Sequence, residues 1–203
     1  MKKNKISKNW IKKQHRDVFV KNSKTSGFRS RAVYKLEEID KKFNLFNKLT
    51  NVVDLGAAPG SWSQYLSQKV TKGKILSIDL KKIEKIDRVY FLEGDFTDTK
   101  NQEKIQNYFK KKIDIVVSDM AANTTGNKNL DSNITGQLCI DAMKFSKLML
   151  NKDGHFVSKF FMGATSNEIV SIAKKNFQKV KIFKPSASRA ESKENFIICK
   201  YLK

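Results

Sequence analysis

Short apolar runs alternate with helical stretches along most of the chain. The runs Asn51–Leu55, Lys74–Leu80, Val89–Leu92, Ile113–Ser118, His155–Phe161, Lys179–Phe183 and Phe196–Leu202 predict seven strands. Val33, Leu36, Ile39 or Asp40, and Phe43 keep helical spacing after Ser30, a residue suited to capping an amino terminus. Leu138, Ala142, Phe145 and Met149 keep one apolar face over a second helix that Gly154 helps to end, and Ile169, Ile172, Ala173 and Phe177 mark a third. Such alternation predicts an α/β fold with a mostly parallel sheet covered by helices on both faces.

A length of 203 residues suits one substantial core with at most a short appendage. The appendage lies at the amino terminus. Met1 to Gly27 are basic and poor in apolar residues, interrupted by Trp10, Ile11, Val18, Phe19 and Val20, which suit a short arm docked onto the body. The expected division is an arm over residues 1–28 and a body over 29–203.

Charge narrows the partners. Lys and Arg number 41 against 20 Asp and Glu, a formal net charge of +21 that attracts polyanions. Nucleic acid and an anionic membrane are the candidates, although only Arg16, Arg29, Arg31, Arg88 and Arg189 are arginines, which also fits compositional drift toward lysine. No apolar run is long enough to span a bilayer and no secretory signal opens the chain, so a cytoplasmic protein without a membrane partner is expected. Cys139 and Cys199 form no CxxC pair, and His15 and His155 are distant from them, so neither a disulfide framework nor a metal site is expected.

The first strand ends in Asp54-Leu55-Gly56-Ala57-Ala58-Pro59-Gly60-Ser61-Trp62, a turn of small residues leading into a helix that begins near Pro59 or Gly60. Such a turn lets a ligand approach the backbone closely. Neither a G-x-G-x-x-G spacing nor a phosphate-binding P-loop is present, which argues against dinucleotides and nucleoside triphosphates. Asp79, at the end of the second strand, suits two ribose hydroxyls, and Asp95, after the third, suits an adenine amino group. Each aspartate alone also fits a turn or cap. Together at successive strand ends they describe an adenosine without phosphates, because open α/β sheets bind ligands there.

The chain resembles the FtsJ/RrmJ-type ribosomal RNA 2′-O-methyltransferases. The resemblance runs through Trp10 to Gln14, Arg29 to Leu36, Asp54 to Trp62, Ser118-Asp119-Met120-Ala121-Ala122-Asn123, Phe156 to Phe161, Lys184-Pro185 and Ser188 to Glu194. It implies a Rossmann-like S-adenosylmethionine-dependent fold with the last strand antiparallel. The implied reaction is 2′-O-methylation of large-subunit (23S) ribosomal RNA, at a uridine, within a large-subunit particle, by a monomer. It also implies a catalytic tetrad of Lys35, Asp119, Lys159 and Glu194, with Glu191 a decoy by spacing. The implied donor site is Gly60, Trp62, Asp79, Asp95 and Asp119, with Gly56 in the same turn. Ser61 and Ala122 stand where these enzymes usually have Gly and Pro, which bears on local loop shape.

The tetrad positions carry chemical sense without the resemblance. A lysine in the apolar strand Phe156–Phe161 needs partners or a task, because an unpaired buried ammonium is costly. Lys35 and Glu194, taken alone, fit surface charges as well as site residues. Methyl transfer requires the hydroxyl in line behind the donor methyl and removal of its proton, so positioning is much of the catalysis. Lys159 is expected to take or polarise that proton, Lys35 and Glu194 to orient the ribose, and Asp119 to hold lysine and donor. Whether Lys159 acts as a neutral base or as an orienting cation stays open, since a second lysine lowers its pKa and the carboxylates raise it. Competing readings are a ribose methyltransferase for transfer RNA or a messenger cap, a non-catalytic RNA-binding module, and a small-molecule or protein methyltransferase.

Overall fold

The computed structural model describes residues 17–122 and 125–203. The expectations for Trp10 to Gln14, His15 and Asn123 therefore lie outside the described residues. Seven strands form one sheet: β1 (Val52–Leu55), β2 (Ile75–Asp79), β3 (Val89–Glu93), β4 (Ile113–Ser118), β5 (Leu150–Phe161), β6 (Phe177–Phe183) and β7 (Glu194–Leu202). Their order is β3-β2-β1-β4-β5-β7-β6, parallel except for β7, which runs antiparallel to both β5 and β6.

Six helices lie among the described residues: α1 (Val18–Thr25), α2 (Val33–Phe43), α3 (Ser61–Lys69), α4 (Thr99–Phe109), α5 (Lys128–Met149) and α6 (Ser166–Asn176). They cover the sheet on two faces, each with its own core. One joins Phe156 and Phe160 of β5 to Ile105 and Phe109 of α4, Phe145 and Met149 of α5, and Ile169 of α6. The other joins Val157, Phe196 and Ile198 to Val33, Leu36 and Ile39 of α2 and Trp62 and Leu66 of α3. Complete burial of such side chains contributes about 1.5–3 kcal/mol each. Alternation along β5 assigns its residues to opposite cores, and Lys159 shares the face of Val157, toward α2.

Several expected details are corrected. Ser30 does not cap α2: Ala32 precedes Val33 without a side-chain cap bond, and Ser30 Oγ instead accepts from Ala32 N at 3.2 Å and pairs with Ser61 Oγ at 2.8 Å. Gly154 does not end α5, which stops at Met149 where the chain turns directly into β5; Gly154 lies inside that strand. Phe177 both caps the carboxyl end of α6, donating its N–H to Ala173 O, and opens β6, in the same core as Ile169 and Ala173. Glu194 is the first residue of β7, not a loop residue before it.

Residues 17–28 pack against α2. Phe19 of α1 lies 5.5 Å from the Tyr34 ring and Phe28 lies 6.3 Å from it. Ser23 is buried, and its hydroxyl donates to Val20 O at 2.9 Å. Asp17 caps α1, accepting from Phe19 N at 3.1 Å and Val20 N at 3.4 Å.

Candidate active site

The carboxyl ends of β1, β2 and β4, together with the loop after β3, converge on a cavity of about 430 Å³ beside the reversal of strand order between β1 and β4. Gly56, Asp79, Asp95 and Asp119 line it, with Met120, Leu138 and the exposed Leu80 supplying apolar surface. Gly56 has φ +69°, and a Cβ there would sit 2.0 Å from Met120 Cγ, so only glycine brings the turn this close to the loop after β4. Asp79 is fixed by its own backbone surroundings: Oδ2 accepts from Ala58 N at 2.9 Å and Oδ1 from Lys81 N at 2.8 Å. Asp95 Oδ1 accepts from Thr97 N and Oγ1, each at 2.8 Å. Both carboxylates thus do the turn work that the sequence allowed them while still facing the cavity, since a carboxylate has about four acceptor positions.

A smaller hollow of about 90 Å³ adjoins it, sharing Gly56, Ala58 and Asp119 and adding Asp54, Ser61 and Trp62. Trp62 therefore stands behind the turn rather than in the larger cavity. Its indole donates to Ala32 O at 2.8 Å and packs 5.8 Å from Phe196. Gly60 lines neither hollow. With φ +104° it lets Arg29 cross the turn, where NH1 donates to Pro59 O and Glu84 O, each at 3.0 Å; a Cβ would meet that guanidinium at 2.6 Å.

The four charged residues singled out in the sequence meet beside these hollows. Lys35 Nζ lies 2.8 Å from Glu194 Oε2 and 3.6 Å from Asp119 Oδ2. Lys159 Nζ lies 3.0 Å from Asp119 Oδ1 and also donates to the Asp119 backbone carbonyl. Because β7 runs antiparallel, its first residue pairs with Phe161 at the end of β5, which carries Glu194 to the same edge as Lys159. Lys159 and Glu194 are buried, at 7% and 8% exposure, so neither is a solvated surface charge. Burial works to lower the Lys35 pKa, but Asp119 and Glu194 outweigh it, and the net effect is upward. Burial likewise works to raise the Asp119 pKa and is outweighed by Lys159 and then Lys35, so this carboxyl stays ionised. Glu191 is exposed.

Two contributors were not singled out in the sequence. Ser188 Oγ donates to Glu194 Oε1 at 2.7 Å, fixing the oxygen that Lys35 leaves free. Asp54 is buried between the hollows and Ser63, whose hydroxyl donates to it at 2.7 Å. Burial pushes the Asp54 pKa up to about 7 against that bond, with Asp119 and Asp79 adding to the rise. A carboxyl that binds its proton more tightly in the folded state contributes stability at low pH, lost as pH rises from about 4 to about 7. Asp54→Asn removes that slope. Urea denaturation from pH 4 to pH 8 should show the variant gaining on the parent by a few kcal/mol, on the order of the linkage for about three pH units, and a constant difference would refute the raised pKa.

Among the described residues no group of three or more His, Cys, Asp or Glu side chains could hold a metal ion, and no helix is long and apolar enough to cross a membrane. Cys139 and Cys199 are buried free thiols.

Comparison with known proteins follows the same lines. A model of the FtsJ-like methyltransferases matches residues 28–202. A Pelagibacter ubique protein named ribosomal RNA large subunit methyltransferase E is 58% identical over 203 residues, covering 100% of both chains. A Rickettsia felis protein of the same name is 45% identical, covering 95% of this chain and 87% of its own. Among solved structures, a putative ribosomal RNA methyltransferase from Plasmodium falciparum superposes with a TM-score of 0.77 at 30% identity, covering 86% of this chain and 98% of that one.

Proposed function

The chain belongs to the FtsJ-like methyltransferase family, and we propose that it transfers a methyl group from S-adenosylmethionine to a ribose 2′-hydroxyl of large-subunit ribosomal RNA. The observation that carries this reading is the pairing of buried Lys159 and half-buried Lys35 through one carboxylate, Asp119, that also lines the nucleoside-sized cavity. The cavity fits the adenosine of the donor: its volume lies in the usual range for small-molecule sites, its turn is narrowed to glycine, and Asp79 and Asp95 face it with carboxylates suited to ribose hydroxyls and an amino group. Gly56, Asp79, Asp95 and Asp119 hold the donor, with Gly60 and Trp62 shaping the turn from behind. When bound, the donor supplies an electrophilic methyl on a sulfonium.

The chain's own residues do the rest. Lys35, kept charged between Asp119 and Glu194, orients the ribose by donating hydrogen bonds. Lys159 polarises the 2′-hydroxyl and receives or passes on its proton as the oxygen attacks. Asp119 locks Lys159 in place and spans the two centres, and Glu194, held by Ser188, fixes Lys35. Pre-set geometry of this kind supplies rate without moving parts. The basic arm, residues 1–28, positions RNA through phosphate contacts while residues 29–203 perform the reaction. The same reading makes the target a uridine within a large-subunit particle and the working form a cytoplasmic monomer without metal.

Incubating large-subunit particles, or their extracted RNA, with the protein and S-adenosylmethionine and mapping ribose methylation by mass spectrometry tests the proposal. One new 2′-O-methyl nucleotide is expected. Methylation on a base, or none on any RNA, overturns it.

A further inference from the structure

The sole acidic residue before Glu37 is Asp17, in a segment otherwise dense with lysine. Its side chain is 11% exposed and faces two arginines from distant parts of the chain. Arg31 NH1 lies 2.9 Å from Asp17 Oδ2 and Arg189 Nε lies 3.7 Å from the same oxygen. Both arginines border the reacting cluster. Arg31 donates to Ala187 O, next to the Ser188 that holds Glu194, and Arg189 follows Ser188 directly.

We infer that Asp17 is a positioning residue for the RNA side of the site, acting through Arg31 and Arg189 rather than by touching substrate. This rests on the methyl-transfer reading above. Two guanidiniums side by side repel, and one carboxylate shared between them removes that repulsion while fixing both. Burial pulls the Arg31 pKa down, Asp17 pushes it back, and the Arg189 charge lowers it again. Glu194 and Glu191 also act on Arg31, more weakly than Asp17. Without Asp17, the strongest remaining carboxylate for Arg31 is Glu194, which Lys35 and Ser188 already occupy. Asp17 thus keeps Arg31 from competing for a member of the tetrad and leaves a paired, oriented cation edge where RNA phosphates approach. Phe19, beneath Arg31 at 5.5 Å, holds the guanidinium plane from the other side.

The capping role of Asp17 can be separated from its charge. Asparagine caps a helix about as well as aspartate, so Asp17→Asn can keep the bonds to Phe19 N and Val20 N through Oδ1 while an uncharged amide NH2, which cannot accept from the arginines, replaces the oxygen that faces them. The test compares the full-length parent, Asp17→Asn, Arg31→Gln and the double variant for melting temperature, S-adenosylhomocysteine affinity by calorimetry, and steady-state methylation of large-subunit particles. Asp17→Asn should melt a few degrees below the parent, because Arg31 loses its carboxylate partner, yet bind the donor product within about twofold, while kcat/KM for RNA falls about tenfold, a loss typical of misplaced groups. The double variant should fall no more than about threefold below the worse single variant, because the two residues act as one unit. Unchanged RNA turnover in Asp17→Asn, a parallel loss of donor affinity, or multiplicative losses in the double variant would each overturn the inference. A parent protein that methylates no RNA counts against the proposed function instead.

Discussion

Replacing Lys159 with alanine is expected to slow methyl transfer by at least about a hundredfold while leaving donor affinity within about twofold. The ammonium is buried, borders Asp119 and projects from the face of β5 that carries Val157, so no neighbouring cation can take its place by a simple rotamer change. Lys35 is already engaged by Glu194 at 2.8 Å. Lys159→Met keeps the aliphatic stem and guards against a packing explanation; it should be as inactive as the alanine variant. Single-turnover methylation at saturating RNA and donor reads the effect, and near-normal turnover in the methionine variant removes Lys159 from the mechanism.

Asp119 should be different in kind, because its loss reaches both centres. It lines both hollows and pairs with two ammonium groups, that of Lys159 buried and that of Lys35 half-buried. Removing one partner of a buried ion pair costs roughly 3–5 kcal/mol, so Asp119→Ala is expected to lose stability as well as function. Asp119→Asn keeps the shape and removes the charge. It should lose transfer by at least about a hundredfold and weaken donor binding by about tenfold or more, in keeping with a charge-assisted contact. Calorimetry against S-adenosylhomocysteine separates the two residues: donor affinity falls in Asp119→Asn and holds in Lys159→Met. Parent-like donor binding in Asp119→Asn would confine this carboxylate to the lysines.

Much of this architecture was legible in the residues, for identifiable reasons. The seven strands announce themselves because buried parallel strands are continuous apolar runs, and the alternation with helices leaves few other packings. Lys159 stood out because a lysine inside Phe156–Phe161 violates that pattern. Gly154 misled because a glycine after an apolar helix face is a common stop, whereas here the chain passes from Met149 straight into a long strand that contains it. Ser30 misled in the same way: its hydroxyl is held by Ser61, a tertiary contact that no local pattern reveals. Gly60 and Trp62 entered through resemblance as donor residues; Trp62 lines the smaller hollow, and Gly60 gives the turn its left-handed φ. Asp17 and Ser188 carried a weak signal, the one acid in a basic arm and a serine beside Arg189, but their partners are long-range and become visible only in three dimensions.

The place of β7 in the sheet has a consequence for the making of the protein. Seventh in chain order, β7 is inserted between β5 and β6, not added at an edge. Until it arrives, β5 and β6 each expose an unpaired edge, and the nascent chain carries open hydrogen-bonding rows that invite wrong partners. The Lys35–Glu194 bond closes a separation of 159 residues, so no growing chain that stops short of Glu194 can form it. A chain that stops before β7 thus lacks both the Lys35–Glu194 bond and the closed sheet, and its open edges favour aggregation.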